Sequence, residues 1–361
     1  MELQNIITEQ FNNIISTEDL NTLSEDAARI TGGLSKEYNI SNILDTTISG
    51  EGLFNYEQLI NTFKSLFLLE LKSALILCVE ILSVCIIIGV LKGLSTSFSS
   101  KSVSEISVMT CTMTIIAISI NSFQTTYNLA FDTVNIMTNT MEIITPILIG
   151  ILISTGSIAS GTILSPTIIG AITFVSFCIK KIILPLLFVA TLLTLVNCLT
   201  EKNYVNKLSK LLRNTAVTLI GFLLVILSGI ISIQGVLAET SDGILINTAK
   251  FSINNFVPIV GGFTSDTIDL FIKCMSTIKS VVGIFGIVLL TLLMAFPLIK
   301  ILVISLIYKL TSALVEPITD SKISDGLNEM GTCVISIASI VFFNSLLFII
   351  FITTIINLGG S

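Results

Sequence analysis

Seven stretches of the chain, 73–91, 103–120, 143–164, 167–199, 215–237, 281–311 and 332–357, are long and apolar, with few charges among them. A helix needs about 20 such residues to cross the hydrocarbon core of a bilayer. Inside that core no water is present to satisfy a backbone N–H or C=O, so spanning segments fold as helices or closed barrels. Runs of this length fit helices and are too long for barrel strands, so the fold class is all-α: a polytopic integral membrane helical bundle. Composition agrees, with 52% hydrophobic and 12% charged residues and a mean hydropathy of +0.96, against roughly 25% charged residues in soluble domains. Lys180-Lys181 divide the run 167–199, and Lys300 and Lys309 interrupt 281–311. Each of these runs reads either as one long kinked helix or as two short ones, which gives six to nine spans.

The chain has no histidine and no tryptophan. Without histidine the commonest metal ligand and proton shuttle are missing, so zinc hydrolase, histidine-triad and haem chemistry lose their central residue. Seven cysteines, Cys78, Cys85, Cys111, Cys178, Cys198, Cys274 and Cys333, show no CxxC spacing and fall mostly within apolar runs. They read as small lipid-compatible packing residues rather than disulfides or metal ligands. No cofactor is expected, and no nucleic acid.

Residues 1–72 differ from the rest, with eleven acidic residues against Arg29, Lys36, Lys64 and Lys72. Their broken periodicity and the turn-like Ser49-Gly50-Glu51-Gly52 indicate a small module of short amphipathic helices, followed by the polytopic domain 73–361. The last piece, "FNYEQLINTFKSLFLLELKSALILCVEIL", reads as one helix entering the first span. Orientation follows from the excess of Lys and Arg in cytoplasmic loops. The segment "EKNYVNKLSKLLRNT" (201–215) carries Lys202, Lys207, Lys210 and Arg213 against Glu201, so it is expected in the cytoplasm. If 121–142 return the chain to the outer side, the loop holding Lys92 and Lys101 lies, like 201–215, in the cytoplasm, and the acidic module is extracytoplasmic. An exported module ordinarily follows a targeting signal, yet Met1 is followed directly by the polar "ELQNIITEQF". Either a signal peptide has been removed or the first span translocates the tail.

An internal echo suggests a duplicated unit. "ITPILIG" (144–150) resembles "FVPIVGG" (256–262), and "ILPLL" (183–187) resembles "AFPLI" (295–299). Both pairs are separated by 112 residues, since 258 − 146 and 297 − 185 are equal, and this matches Pro146 with Pro258, Gly150 with Gly262 and Pro185 with Pro297. The repeat units would be 121–237 and 238–357, an arrangement that transporters use to build sites at broken helices. Pro258 with Gly261-Gly262 supplies a helix end and a flexible backbone. The 250–280 region is therefore either re-entrant or an interfacial connector, and 143–164 shares that alternative through Pro146 and Gly150. The stretch "STGSIASGTILSPTIIG" (154–170) is a small-residue surface suited to close helix packing or a re-entrant bend.

The segments "DGILINTAKFSINNFVPIVGGFTSDTIDLF" (242–271), "FPLIKILVISLIYKLTSALVEPI" (296–318), "KLSKLLRNTAVTLIGFLLVILSGIISIQG" (207–235) and "AISINSFQTTYNLAFDTVNIM" (117–137) resemble the stage III sporulation protein AE family. The resemblance runs from about Lys36 to residue 357, with long segments matching in order. It implies a multi-pass protein of the mother-cell membrane surrounding the forespore, made during engulfment. It also implies a transenvelope channel complex, pictured as a feeding tube and required for late forespore gene expression and development. The partners implied are other stage III sporulation A-operon proteins, namely ring-forming subunits and an ATPase-like protein, together with a forespore membrane protein. The family brings no catalytic or substrate-binding residues, and the chain is read as no enzyme.

Several residues are candidates for mechanism. Glu80 lies near the middle of the first span, where a charge costs roughly 2.5–3.5 kcal/mol on insertion scales and needs a partner or water. One reading pairs it with Lys300 or Lys309; a second places it in a polar pathway with Asn121, Asn197 and Gln234; a third puts it near the interface. Within 201–215, Val205, Leu208, Leu211 and Leu212 recur at helical spacing among Lys202, Lys207, Lys210 and Arg213. That segment either docks a cytosolic ATPase or anchors the chain on membrane lipid. The reading favoured is a membrane platform or conduit. An independent secondary transporter is the alternative, and a membrane enzyme comes third because no motif groups the available Ser, Thr, Asp and Glu side chains.

Overall fold

A computed structural model describes residues 22–23, 25–26, 56–97, 101–199, 204–256, 261–319 and 321–358. The apolar runs become seven long helical segments: α1 (Tyr56–Ser97), α2 (Lys101–Ser154), α3 (Ile158–Cys178), α4 (Leu184–Leu199), α5 (Asn206–Phe256), α6 (Gly261–Val315) and α7 (Ser321–Asn357). A π-helical turn, Ile179–Ile183, joins α3 to α4 without a break. Among the described residues six helices are long and apolar enough to cross a membrane: Lys64–Gly93, Glu105–Ser154, Ile158–Cys198, Asn206–Val236, Ile272–Val315 and Ser321–Asn357. The chain is a multi-pass, all-α membrane protein with no strand among the described residues.

The runs split by lysines resolve as single helices. Lys300 and Lys309 both lie inside α6, and Lys180-Lys181 lie in the π turn. The run 143–164, in contrast, is not one segment. It comprises the end of α2, a tight turn and the start of α3. Gly156 takes φ +89° in that turn, a left-handed conformation that only glycine adopts without steric cost. Gly161 then lies against the Ile153 side chain so closely that a Cβ would collide with it, which lets α3 fold back along α2.

Three of the helix breaks expected from sequence are absent. Pro146 lies inside α2, which continues through Gly150 to Ser154. Pro297 is likewise inside an uninterrupted α6. Neighbouring helices and local adjustments re-satisfy the backbone groups a proline frees in a membrane. Pro185 differs in kind: it is the second residue after the π turn, whose wider i→i+5 bonding accommodates the missing N–H and the ring. Pro258 and Lys202 lie outside the described residues, while Gly261 and Gly262 form the first turn of α6. Pro185 and Pro297 each sit in the first member of an antiparallel pair, α3–α4 with α5 and α6 with α7. The turn around Gly156 has no counterpart 112 residues later, where α6 is continuous.

The α6–α7 hairpin and α2 form the centre, with α1 packed against α6 and α2 on one side and α3, α4 and α5 on the other. The most apolar windows of α2 and α7 are each 61% buried, against 28% for α1 and 17% for α5, so the last two present most of their apolar surface to lipid. Hydroxyls join the helices where lipid offers no hydrophobic driving force. Thr138 Oγ1 lies 3.0 Å from Ser176 Oγ between α2 and α3; Ser209 Oγ donates to the Ala190 carbonyl at 2.8 Å between α5 and α4. Ser312 donates to the Ser324 carbonyl at 2.7 Å and Ser324 to the Ser312 carbonyl at 3.0 Å, closing the α6–α7 turn. At the opposite end the fully buried Lys279 donates its ammonium to the Leu358 carbonyl.

At Gly331 the α6–α7 pair approaches closely, backbone included: a Cβ would lie 2.9 Å from Lys309 Cγ and 3.1 Å from the Ser305 carbonyl. Ser305 Oγ donates to the Gly331 carbonyl at 2.8 Å. Gly331→Val should force the hairpin apart and cost about 1–3 kcal/mol, the usual penalty of overpacking, lowering the thermal unfolding midpoint of purified protein in detergent. Gly170→Val is the control, since nothing lies within 4 Å of its Cβ position. Equal midpoints for the two variants would contradict this packing.

Candidate functional site

Helix α2 has 54 residues and is roughly 80 Å long at 1.5 Å per residue. Along its outward face, no large hydrophobic side chain is exposed between Met113 and Ile153. The exposed positions are instead Thr114, Ala117, Asn121, Gln124, Thr125, Asn128, Asp132, Asn139, Glu142, Pro146 and Gly150. The polar members of this seam, Thr114 to Glu142, span roughly 40 Å by the same rise, and Pro146 and Gly150 extend the face without an exposed large hydrophobic side chain, on a helix whose other faces are packed in the bundle. Single exposed polar residues on a lipid-facing helix are rare and expensive. A continuous row belongs against water or against other polar protein groups.

Two features flank the seam. On the α3 side Lys180, in the π turn, donates to Asn135 Oδ1 at 2.7 Å. Asn135 is half-buried and in line with the seam, so the π turn brings a cation to its middle, while Lys181 is exposed beside it. On the α1 side an open groove is lined by Lys72, Leu75, Ile76, Val79, Glu80, Ser83, Val84 and Ile118. Glu80 thus shares with Ile118 a groove at the junction of α1 and α2.

The pair expected between Glu80 and Lys300 or Lys309 does not form. Lys300 meets Glu70 instead, at 3.5 Å, and Lys309 is exposed with its stem against Gly331. Of the expected pathway residues Glu80, Asn121, Asn197 and Gln234, the last two lie far from each other. Asn197 adjoins Cys198, whose sulfur packs on Gly326, and Gln234 adjoins Gly235, which packs near Thr354 and Leu358. These lie at opposite ends of α7, roughly 50 Å apart at 1.5 Å per residue. Neither joins the seam. Gln234 Oε1 is buried without a hydrogen-bond partner.

The basic segment is also used differently from expectation. Arg213 Nη1 lies 2.6 Å from Glu329 Oε2 and Lys210 Nζ 2.8 Å from Oε1, so both cations clasp one carboxylate of α7. Only Lys207 among the described members of the expected docking set is exposed outside that clasp.

Among the polar residues of the seam, the sequence points to Asn121 alone. The missed signal is a seven-residue repeat: Asn121, Asn128, Asn135 and Glu142 stand at equal spacing, which keeps them on one face of a helix. The stretch 121–142 is less apolar than its flanks, so by sequence it reads as a return segment between spans.

Comparison with known proteins adds a family. The family model described as stage III sporulation protein AE matches residues 38–359. Stage III sporulation protein AE of Bacillus subtilis (strain 168) is 30% identical over 346 residues, covering 96% of this chain and 86% of that protein. No solved structure matches the chain.

The side chain of Arg213 is 11% exposed, that of Glu329 22% and that of Lys210 46%. Removing one partner of a buried pair costs about 3–5 kcal/mol, an upper bound here because water still reaches Glu329; an exposed pair contributes about 0–1 kcal/mol. Arg213→Gln should therefore lower the thermal midpoint in detergent clearly more than Lys210→Gln. Arg213→Glu combined with Glu329→Arg should recover part of the loss. Failure of the exchange to recover anything would show that the clasp contributes little.

Proposed function

The chain belongs to the stage III sporulation protein AE family, and on that premise we propose that it is a conduit-forming component of the sporulation channel joining mother cell and forespore. The protein sits in the mother-cell membrane and works, in this reading, with ring-forming subunits and an ATPase-like protein of the same operon and with a forespore membrane protein. Its contribution is non-enzymatic. The seam on α2 carries the proposal: about 50 Å of membrane helix facing outward without an exposed large hydrophobic residue between Met113 and Ile153.

Two further observations fit. The seam lies on the outside of the bundle, not in a crevice between two halves, so one chain alone does not enclose a passage. An independent permease would need an enclosed site, and this arrangement favours an assembly over it. The ends marked by Gly89, Ile318, Ser324 and Cys198 lie together through the contacts of Gly89 with Ile318, Ser312 with Ser324 and Cys198 with Gly326. Lys92, Lys207, Lys210 and Arg213 cluster toward that end, which the positive-inside rule assigns to the cytoplasm. The segment preceding α1 then lies on the extracytoplasmic side, facing the intermembrane space.

Thiols react as thiolates and therefore where water reaches them. In sporulating cells carrying the chain with its seven cysteines replaced, Asn121→Cys, Asn128→Cys and Asn139→Cys should react with a charged, water-soluble maleimide. Phe222→Cys and Val225→Cys, on the exposed apolar face of α5, should not. Labelling no faster along α2 than along α5 would remove the conduit reading.

A further inference from the structure

Asn121, Asn128 and Glu142 are exposed and Asn135 half-buried, and the four stand seven residues apart on one uninterrupted helix. A strict seven-residue period over three repeats is what holds a seam against a neighbouring helix as both wind about each other. The residue type matters as much as the period. A carboxamide carries two donors and an acceptor with two lone pairs, so an asparagine is complementary to the same asparagine on another copy. Carboxamides of neighbouring copies can therefore exchange hydrogen bonds along the inner edge of their contact, and a polar residue at such a position specifies register and oligomeric state.

From this geometry we infer that the occupant of the α2 face is a second copy of this chain. The protein forms a closed cyclic ring of more than two copies, with the α2 helices innermost and Asn121, Asn128 and Asn135 toward the axis. The inference rests on the conduit reading for the ring having an open centre, and it names what closes that conduit: this chain itself. A cyclic arrangement presents the same face of every copy to the axis. The charges suit an open centre better than a tight pair. Copies of Asp132 and Glu142 repel when brought together about an axis, which favours a hydrated space between them. Lys180, hydrogen-bonded to Asn135, places a compensating cation on every copy at mid-seam. The apolar surfaces of α1 and α5 remain on the periphery, where lipid covers them.

The test uses the full chain in membranes of sporulating cells, with native cysteines replaced and single cysteines placed along 121–142. Oxidation with copper phenanthroline should give disulfide-linked pairs whose yield peaks at 121 and 128 and falls several-fold at Ala130 and Val134, which are fully buried. Mass measurement of the detergent-purified native chain should show more than two copies. Asn121→Leu with Asn128→Leu should shift that mass toward the monomer, whereas Asn128→Gln, which keeps donors and acceptor, should preserve it. Cross-linking at 121 and 128 without access for the water-soluble maleimide would keep the self-association and overturn the open centre together with the conduit. Maleimide access without α2-to-α2 cross-links and with a monomeric mass would overturn the inference alone, leaving a conduit closed by another protein. A ring whose mass and cross-links are unchanged by the double leucine variant would also overturn the role of the asparagines.

Discussion

The structure depends on the absence of water along most of its length. In hydrocarbon an unsatisfied N–H or C=O costs several kcal/mol, so every crossing segment completes its hydrogen bonds within itself. The helices then cannot be driven together by apolar burial, because lipid is as apolar as their side chains. What joins them is close approach and small polar groups: glycines at Gly161, Gly326 and Gly331, and the hydroxyls of Thr138, Ser176, Ser209, Ser305, Ser312 and Ser324. The abundance of serine and threonine, which carries no function by itself, acquires a physical reason here. Each hydroxyl can return a bond to its own helix or lend one to the next.

The same constraint explains where the charges sit. Arg213, Lys210 and Glu329 are held together near one end of the bundle, Lys279 caps the final turn of α7 at the other, and Lys300 stands beside Glu70. Against that background the α2 face is the exception. Its exposed side chains point away from the bundle; the hydroxyls of Thr114 and Thr125 return a bond to their own helix and Asn135 takes one from Lys180, while the other carboxamides and the carboxylates face outward.

The helices were legible because apolar run length is a strong, local signal. What sequence did not reveal was how the runs join. The run 143–164 spans a turn that depends on one positive-φ glycine, Gly156, hidden among other small residues. Pro146 and Pro297 were expected to break helices, but tertiary neighbours decide whether a proline does so in a membrane. Charge pairing was hardest to read: Glu80 and Lys300 stand in different helices whose vertical register no spacing encodes, and Lys300 meets Glu70 ten residues earlier on the same helix as Glu80. The asparagine repeat was present in the sequence throughout, but it became meaningful only once 121–142 proved to be helix interior.

Helix α2 is longer than any bilayer is thick: roughly 80 Å against a hydrocarbon core of about 30 Å. Tilt absorbs a mismatch of a few ångströms, not a factor of more than two. A single uninterrupted helix therefore stands in two environments at once. Whatever shifts or rotates its aqueous end must shift or rotate its membrane end as well.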